Sequence, residues 1–249
     1  MTQGNESRRR WPGAPRLRRG VVLCLWAIAA TAAAGPAQAI KMTLIGDQLT
    51  VSGAVYESEL PRFVRILNEE GRKVTTIVFR NSPGGSADTA YRISTEIRTR
   101  GLTTAVSGYC VSACSIMFMG GIRRLVMDDS ETGKTYVGFH GTVQGLPGGQ
   151  GYGAPSLSET AQLRGYFLGR FGDKSDAALI DRWLALSSMG LVLVYHPDRL
   201  KRPDQVTIFL CVGTEKNFAD CEKIAGKNGY DIGVFTTKDV LAVNVGPPE

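Results

Sequence analysis

The chain predicts an α/β fold with parallel strands and crossover helices, on two observations. From residue 40 to residue 140, β-branched apolar runs of strand length alternate at short spacing with segments of helical period. Of 249 residues, the first 39 read as a leader, and the remaining 210 are enough for one sizeable core.

The leader comes first. "RRRWPGAPRLRR" is a basic n-region, "VVLCLWAIAATAAA" an apolar run too short and alanine-rich for a membrane span, and "AQA" ends at Ala39 with the small residues of a cleavage site. Residues 1–39 are therefore expected to be a signal peptide, with a periplasmic or secreted product; an uncleaved leader would be the only membrane attachment. The chain carries 29 Lys and Arg against 23 Asp and Glu, but the leader holds six of the former and one of the latter, leaving 23 against 22. The basic balance belongs to the leader, so no nucleic-acid partner is inferred.

The elements then follow in order. "KMTLIGDQLTVSGAV" alternates and reads as one or two short strands. "ELPRFVRILNEEG" spaces Phe63, Ile66 and Leu67 as a helix and stops at Gly71. "VTTIVFR" is a buried strand ending in a turn, "NSPGGS". "SADTAYRISTEIRTRG" is a helix with Ala87, Ala90, Tyr91, Ile93 and Ile97 on one face. "TTAVSG" is a strand, "SACSIMFMGG" an apolar helix, and "RRLVM" and "YVGFHG" are strands. Residues 141–155 hold six glycines and two prolines and are expected to be a mobile loop. Residues 157–187 read as one or two helices and "MGLVLVYHPDRL" as a strand entering a turn. The main α/β domain is expected over 40–204, and a small β-α-β extension over 205–249.

Four cysteines remain outside the leader: Cys110, Cys114, Cys211 and Cys221. In an oxidising compartment they suggest two disulfides, of which three pairings exist; the sequence-local one is expected. Side chains at i,i+4 on a helix lie about 5–6 Å apart, too far for a bridge. Cys110 must therefore sit outside the helix that carries Cys114. No Cys-x-x-Cys pair and only two histidines outside the leader make zinc a poor alternative, and no metal or cofactor is expected.

Binding groups in a parallel layer gather beyond the carboxyl ends of the strands. "NSPGG" sits at one such end, where Pro83 fixes a dihedral and Gly84 and Gly85 let backbone N–H groups face outward. "GYCVSAC" sits at the next, with Ser112 at a helix start where N–H groups are unpaired. Alone, the first is an ordinary turn and Ser112 an ordinary N-cap. Together they have the parts of an oxyanion hole. A serine nucleophile needs a base, and the chain offers His140 and His196. His140, which closes a strand 28 residues after Ser112, is the better candidate; His196 precedes Pro197 in a turn-like context.

From "FRNSPGGSADTAYRISTEIRTRGLTTAVSGYCVSACSIMFMGGIRRLV" through "VGFHG", residues 44–145 resemble the Clp protease proteolytic subunit and the wider Clp-protease/crotonase superfamily. The resemblance implies a spiral of β-β-α units. It implies Ser112 as nucleophile, His140 as base, and the N–H groups of Gly85 and Ala113 as the oxyanion hole. It also implies a peptide or protein substrate and a homo-oligomer. The family's catalytic acid falls where "LALSSMGL" stands, which has no acid; of the nearby Asp173, Asp176 and Asp181, Asp181 is expected to serve. Superfamily relatives that use a Ser–Lys dyad direct attention to Lys134 and Lys174.

The function expected is that of an exported serine peptidase-like hydrolase. The alternative is a catalytically silent periplasmic protein of the same fold that binds peptides or partners. A third class, acyl-thioester chemistry on the same N–H pair, is disfavoured by export.

Overall fold

Strand-forming runs separated by helical ones close into a ten-stranded mixed sheet. The computed structural model describes residues 40–69, 74–128, 135–141, 143–145, 152–155, 157–186, 190–195, 206–212, 214–215 and 217–242. The expected leader, Cys24, Lys134, His196 and positions 187–189 lie outside them.

Strands β1 (Lys41–Ile45) and β2 (Gln48–Val55) pair antiparallel around Gly46, whose φ of 59° suits a glycine turn. Helix α1 (Glu59–Asn68) leads to β3 (Thr76–Gly85), α2 (Ala87–Thr99) to β4 (Thr103–Val111), and α3 (Ala113–Phe118) to β5 (Arg123–Asp128). β2, β3, β4 and β5 are mutually parallel neighbours in that order. This is the expected strand–helix–strand alternation. The strands read as continuous apolar runs because both sheet faces are buried. Ile77 and Phe79 enter the main core, while Val78 between them joins a second cluster with Ala105, Leu125 and Met127.

β4 serves two neighbours. Thr103–Val106 pairs with β5, whereas Tyr109–Val111 pairs parallel with β6 (Thr135–Phe139). The change falls at Ser107 and Gly108, where Gly108 has a φ of 66°. The second half of β4 thus takes a different neighbour from the first, and its carboxyl end, with Ser112, lies against the end of β6. β9 (Leu191–Tyr195), β10 (Thr207–Leu210) and β11 (Glu222–Asn228) continue the sheet antiparallel from β6. β12 (Val240–Ala242) returns to pair parallel with β5.

Three local expectations are corrected. "NSPGG" is not a turn but the last part of β3, bulged against β2 and β4, with positive φ at Asn81, Gly84 and Gly85. The glycine-rich stretch 141–155 contains a two-stranded sheet, β7 (Val143–Gly145) with β8 (Tyr152–Pro155). The C-terminal segment expected as a helix is a short 3-10 turn (Phe218–Asp220) followed by β11. There the Cys211–Cys221 bridge and the β10 ladder prevail over local helix propensity.

Helices α4 (Leu157–Phe171) and α5 (Ala177–Leu184) complete the core with Leu163, Phe167, Leu179, Ile180 and Trp183. No helix among the described residues is long and apolar enough to cross a membrane. Arg124, at the start of β5, is only 3% exposed. Its guanidinium donates to the carbonyls of Gly121, Arg170, Gly233 and Val234. Burial, with Arg98 nearby, lowers its pKa to about 10, so the group remains cationic at neutral pH.

Candidate active site

Ser112 stands between β4 and α3 with φ 60° and ψ −128°. A non-glycine residue there is strained by about 1–3 kcal/mol and persists only where its surroundings impose it. Here they do. The Ser112 amide donates to Gly138 O on β6 (3.1 Å). Its carbonyl accepts from Ser115 N (2.9 Å) and Ser115 Oγ (2.6 Å). The Cys110–Cys114 disulfide, with 5.2 Å between Cα atoms, ties the strand to the helix on either side of the serine. Cys110 is outside the helix, as the bridge required. The Ser112 hydroxyl makes no capping bond to α3, so the ordinary N-cap reading does not hold. A serine on a sharp strand-to-helix turn presents its hydroxyl rather than spending it on its own helix.

The "NSPGG" end of β3 packs directly on this elbow. A Cβ on Gly84 would lie 2.6 Å from Val111 O and 2.7 Å from both Ala113 N and Ser112 Cβ, so only glycine fits. Gly84 was expected to bend a turn; its closer duty is to let two backbones meet. Gly85 pairs with Val55 of β2, and a Cβ there would collide with the Val55 carbonyl. Gly85 and Ala113 thus approach the elbow from adjoining strand ends, on the same cavity wall as Ser112.

His140 follows Phe139, which is 1% exposed and packed edge-on against Phe167, Phe171 and Trp183. That aromatic cluster anchors the end of β6. On the other side, a Cβ on Gly141 would lie 2.7 Å from Leu184 O, so the C-terminus of α5 closes against the next residue. His140 Nδ1 lies 2.6 Å from Gly141 O. A carbonyl can only accept, so Nδ1 carries the proton and Nε2 is left as the lone-pair nitrogen.

Asp181 is not brought to this histidine. It lies on α5 but turns outward to Arg164, whose Nε and Nη2 donate at 2.5 and 3.1 Å. The guanidinium holds its carboxyl below the usual range. Asp176 caps α5 through Leu179 N (3.0 Å) and pairs with Lys227; Asp173 sits in a 3-10 turn. Lys174 donates to Tyr230 O (3.1 Å), a structural bond away from the serine. Gly141 O, which no sequence signal marks, is the group that orients the imidazole.

Ser112 and His140 line one cavity of about 700 Å³, within the range of ligand sites. Its floor is apolar: Ile116, Leu163 and Phe167 are at most 5% exposed. Its mouth carries Asp88 and Tyr91 from α2 and Glu159 and Gln162 from α4. Burial, with Tyr166 and Glu159 near, pushes the Tyr91 phenol up to about 12, so it stays neutral. The contribution of α4 was invisible in sequence, since only tertiary packing brings it over the elbow. The disulfides are the local pairs expected, Cys110–Cys114 and Cys211–Cys221.

No protein-family model and no curated protein matches the chain. Among solved structures, it is similar to a mutant of the 1510-N membrane-bound stomatin-specific protease, at 12% identity over 80% of this chain and 96% of that one, with a TM-score of 0.45. It is similar to a ClpP1 mutant from Listeria monocytogenes at 11% identity over 80% and 91%, with a TM-score of 0.44. A protein described as an enoyl-CoA hydratase from Rhodopseudomonas palustris is similar at 11% identity over 40% and 48%, with a TM-score of 0.30. None of these likenesses bears on the chemistry of the cavity, which stands on the geometry of Ser112, His140 and the glycines around them.

Proposed function

We propose that the chain is an exported serine hydrolase acting on peptide substrates, with Ser112 as nucleophile and His140 as general base. The observation that carries this reading is the backbone of Ser112: a strained, positive-φ serine with no capping bond, on the wall of a cavity it shares with His140. Two disulfides support an oxidising compartment, and hence export.

In this reading Ser112 Oγ attacks the scissile carbonyl while His140 Nε2 takes its proton. The N–H groups of Gly85 and Ala113 stabilise the oxyanion. The imidazolium then protonates the departing amine, leaving an acyl-serine. Water, deprotonated by the same nitrogen, releases the acid. The Gly141 carbonyl fills the orienting role that a carboxylate has in the usual triad, but without a full charge to steady the imidazolium. Turnover is accordingly expected to be modest.

The test is fluorophosphonate labelling of the disulfide-intact protein, mapped by mass spectrometry. Label is expected on Ser112, absent in Ser112→Ala and slowed on the order of a hundredfold or more in His140→Ala. Asp181→Asn is expected to label like the parent, because its carboxylate is engaged by Arg164. Failure of the folded, oxidised protein to label would favour a catalytically silent peptide- or partner-binding protein.

A further inference from the structure

Ser112 and Ala113 share a peptide group, so the carbonyl of the first and the N–H of the second turn together. In a trans peptide such as this one, the two point in opposite directions across one plane. Whatever holds Ser112 O therefore aims the Ala113 N–H. Two donors from a single residue hold it: Ser115 N at 2.9 Å and Ser115 Oγ at 2.6 Å. Serine hydroxyls in helices often bond a carbonyl about one turn back. Here that carbonyl belongs to a residue outside α3, at φ 60° and ψ −128°. Ser115 is 1% exposed and lines the cavity together with Ser112 and Ala113. Ala113 opens α3, where an N–H has no acceptor within its own helix. Gly84 lies against the same amide, where a Cβ would come within 2.7 Å of the nitrogen. The one peptide group that the oxyanion needs is thus clamped at its carbonyl end and left open at its N–H end.

We propose that Ser115 is a positioning residue for the oxyanion hole: its hydroxyl fixes the Ser112–Ala113 peptide plane and so aims the Ala113 N–H at the developing oxyanion. This rests on the hydrolase reading of Ser112 and adds a residue to it. Stabilisation of an oxyanion depends on donors that are already oriented before reaction, and the hydroxyl removes the freedom of this plane to tilt. A hydrogen bond to the carbonyl also polarises the peptide and strengthens its N–H as a donor. When the hydroxyl is lost, the Ser115 amide still holds Ser112 O. The loss is therefore read in the reactivity of Ser112 rather than in the fold.

The experiment compares the disulfide-intact parent with Ser115→Ala and Ser115→Thr. A small neutral fluorophosphonate, whose phosphoryl oxygen takes the oxyanion position, is reacted with Ser112 across the pH range in which an imidazole titrates. Acylation of His140 by diethyl pyrocarbonate, mapped by mass spectrometry, reports on the base without drawing on the oxyanion hole. Ser115→Ala is expected to lower the limiting rate at Ser112 about tenfold. The midpoint of its pH profile and the reactivity of His140 are expected to stay at the parental values. Ser115→Thr, which keeps a hydroxyl within reach of the same carbonyl, is expected to recover most of the rate. If the added methyl of that variant unfolds the protein, the Ser115→Ala profile and the His140 control decide alone. A parental rate in Ser115→Ala would overturn the proposal. So would a folded Ser115→Thr as slow as Ser115→Ala. A Ser115→Ala protein that loses its thermal transition, shifts the pH midpoint or loses His140 reactivity in step with Ser112 would show general support of the fold instead, and would overturn it too. If the fluorophosphonate does not label Ser112 in the parent, the hydrolase reading falls and this proposal falls with it.

Discussion

The two disulfides close loops of 4 and 10 residues, and they hold different things. Cys110–Cys114 is wholly buried, crosses from β4 to α3, and brackets the strained serine. Cys211–Cys221 closes the β10–β11 hairpin at the sheet's far end, beside Val192, Phe209 and Phe218. By the chain-entropy relation, the longer loop contributes about 2.7 kcal/mol and the shorter about 1.9 kcal/mol. The bridge that matters less to stability is thus the one placed to fix the site. A covalent link can be spent on geometry rather than on the folding equilibrium.

The strongest way to break the elbow side of this comparison is Gly84→Ala. The added methyl would press on the Val111 carbonyl, the Ala113 amide and Ser112 Cβ, at a φ of 92° that alanine resists. The expected cost is at least about 3 kcal/mol, read by denaturant titration, with loss of Ser112 labelling. A stable, fully labelling variant would show that the two backbones are not in contact.

The pair of bridge deletions sharpens the comparison directly. Cys211→Ala with Cys221→Ala is expected to lower stability by about 2–3 kcal/mol and to leave labelling of the folded protein near the parental rate. Cys110→Ala with Cys114→Ala is expected to cost less through loop entropy, yet to slow labelling about tenfold or more, as Ser112 relaxes from its strained backbone. If both deletions changed stability and labelling in the same proportion, the division of roles would be wrong.

The smallest effect expected is at Asp176, which joins the C-terminal hairpin to α5 through Lys227 and caps that helix through Leu179 N. The Lys227 ammonium and that amide hold its carboxyl below the ordinary 3.8. A depressed folded value means the stabilisation is full above pH 3.8 and is lost as pH falls through the lower folded value. Asp176→Ala is expected to cost about 1 kcal/mol near neutrality and to flatten the stability profile in acid, checked by thermal melts against pH.

Much of the fold was legible because its signals are local. β-branched runs such as "TIVF" and helical faces such as Ala90, Ile93 and Ile97 are visible within a dozen residues, and the structure buries those positions. Ser112 and His140 could be singled out for the same reason, each closing an apolar segment at a strand end, and the structure sets both on one cavity wall. What failed depended on distance. "NSPGG" has turn chemistry, yet β2 and β4 draw it into a bulged strand. Asp181 lies in a suitable stretch of chain, but the face of α5 directs it to Arg164. The part of the cavity lining that comes from α4 has no local mark, because Leu163 and Phe167 reach it only through the packing of that helix, where Tyr166 donates to the Ile116 carbonyl.

Arg124 ties the start of β5 to segments far along the chain. Its guanidinium partners lie 3, 46, 109 and 110 residues along the chain, and its amide donates to Thr236 Oγ1, 112 residues away. A growing or truncated chain that stops before residue 233 has β5 ready to pair with β4 but a cation with two of its acceptors missing. Such a cation resists burial until they arrive. The closing segment is therefore expected to act as a checkpoint: chains cut before residue 233 should stay open around Arg124, seen as faster amide exchange in β4 and β5 than in the full chain.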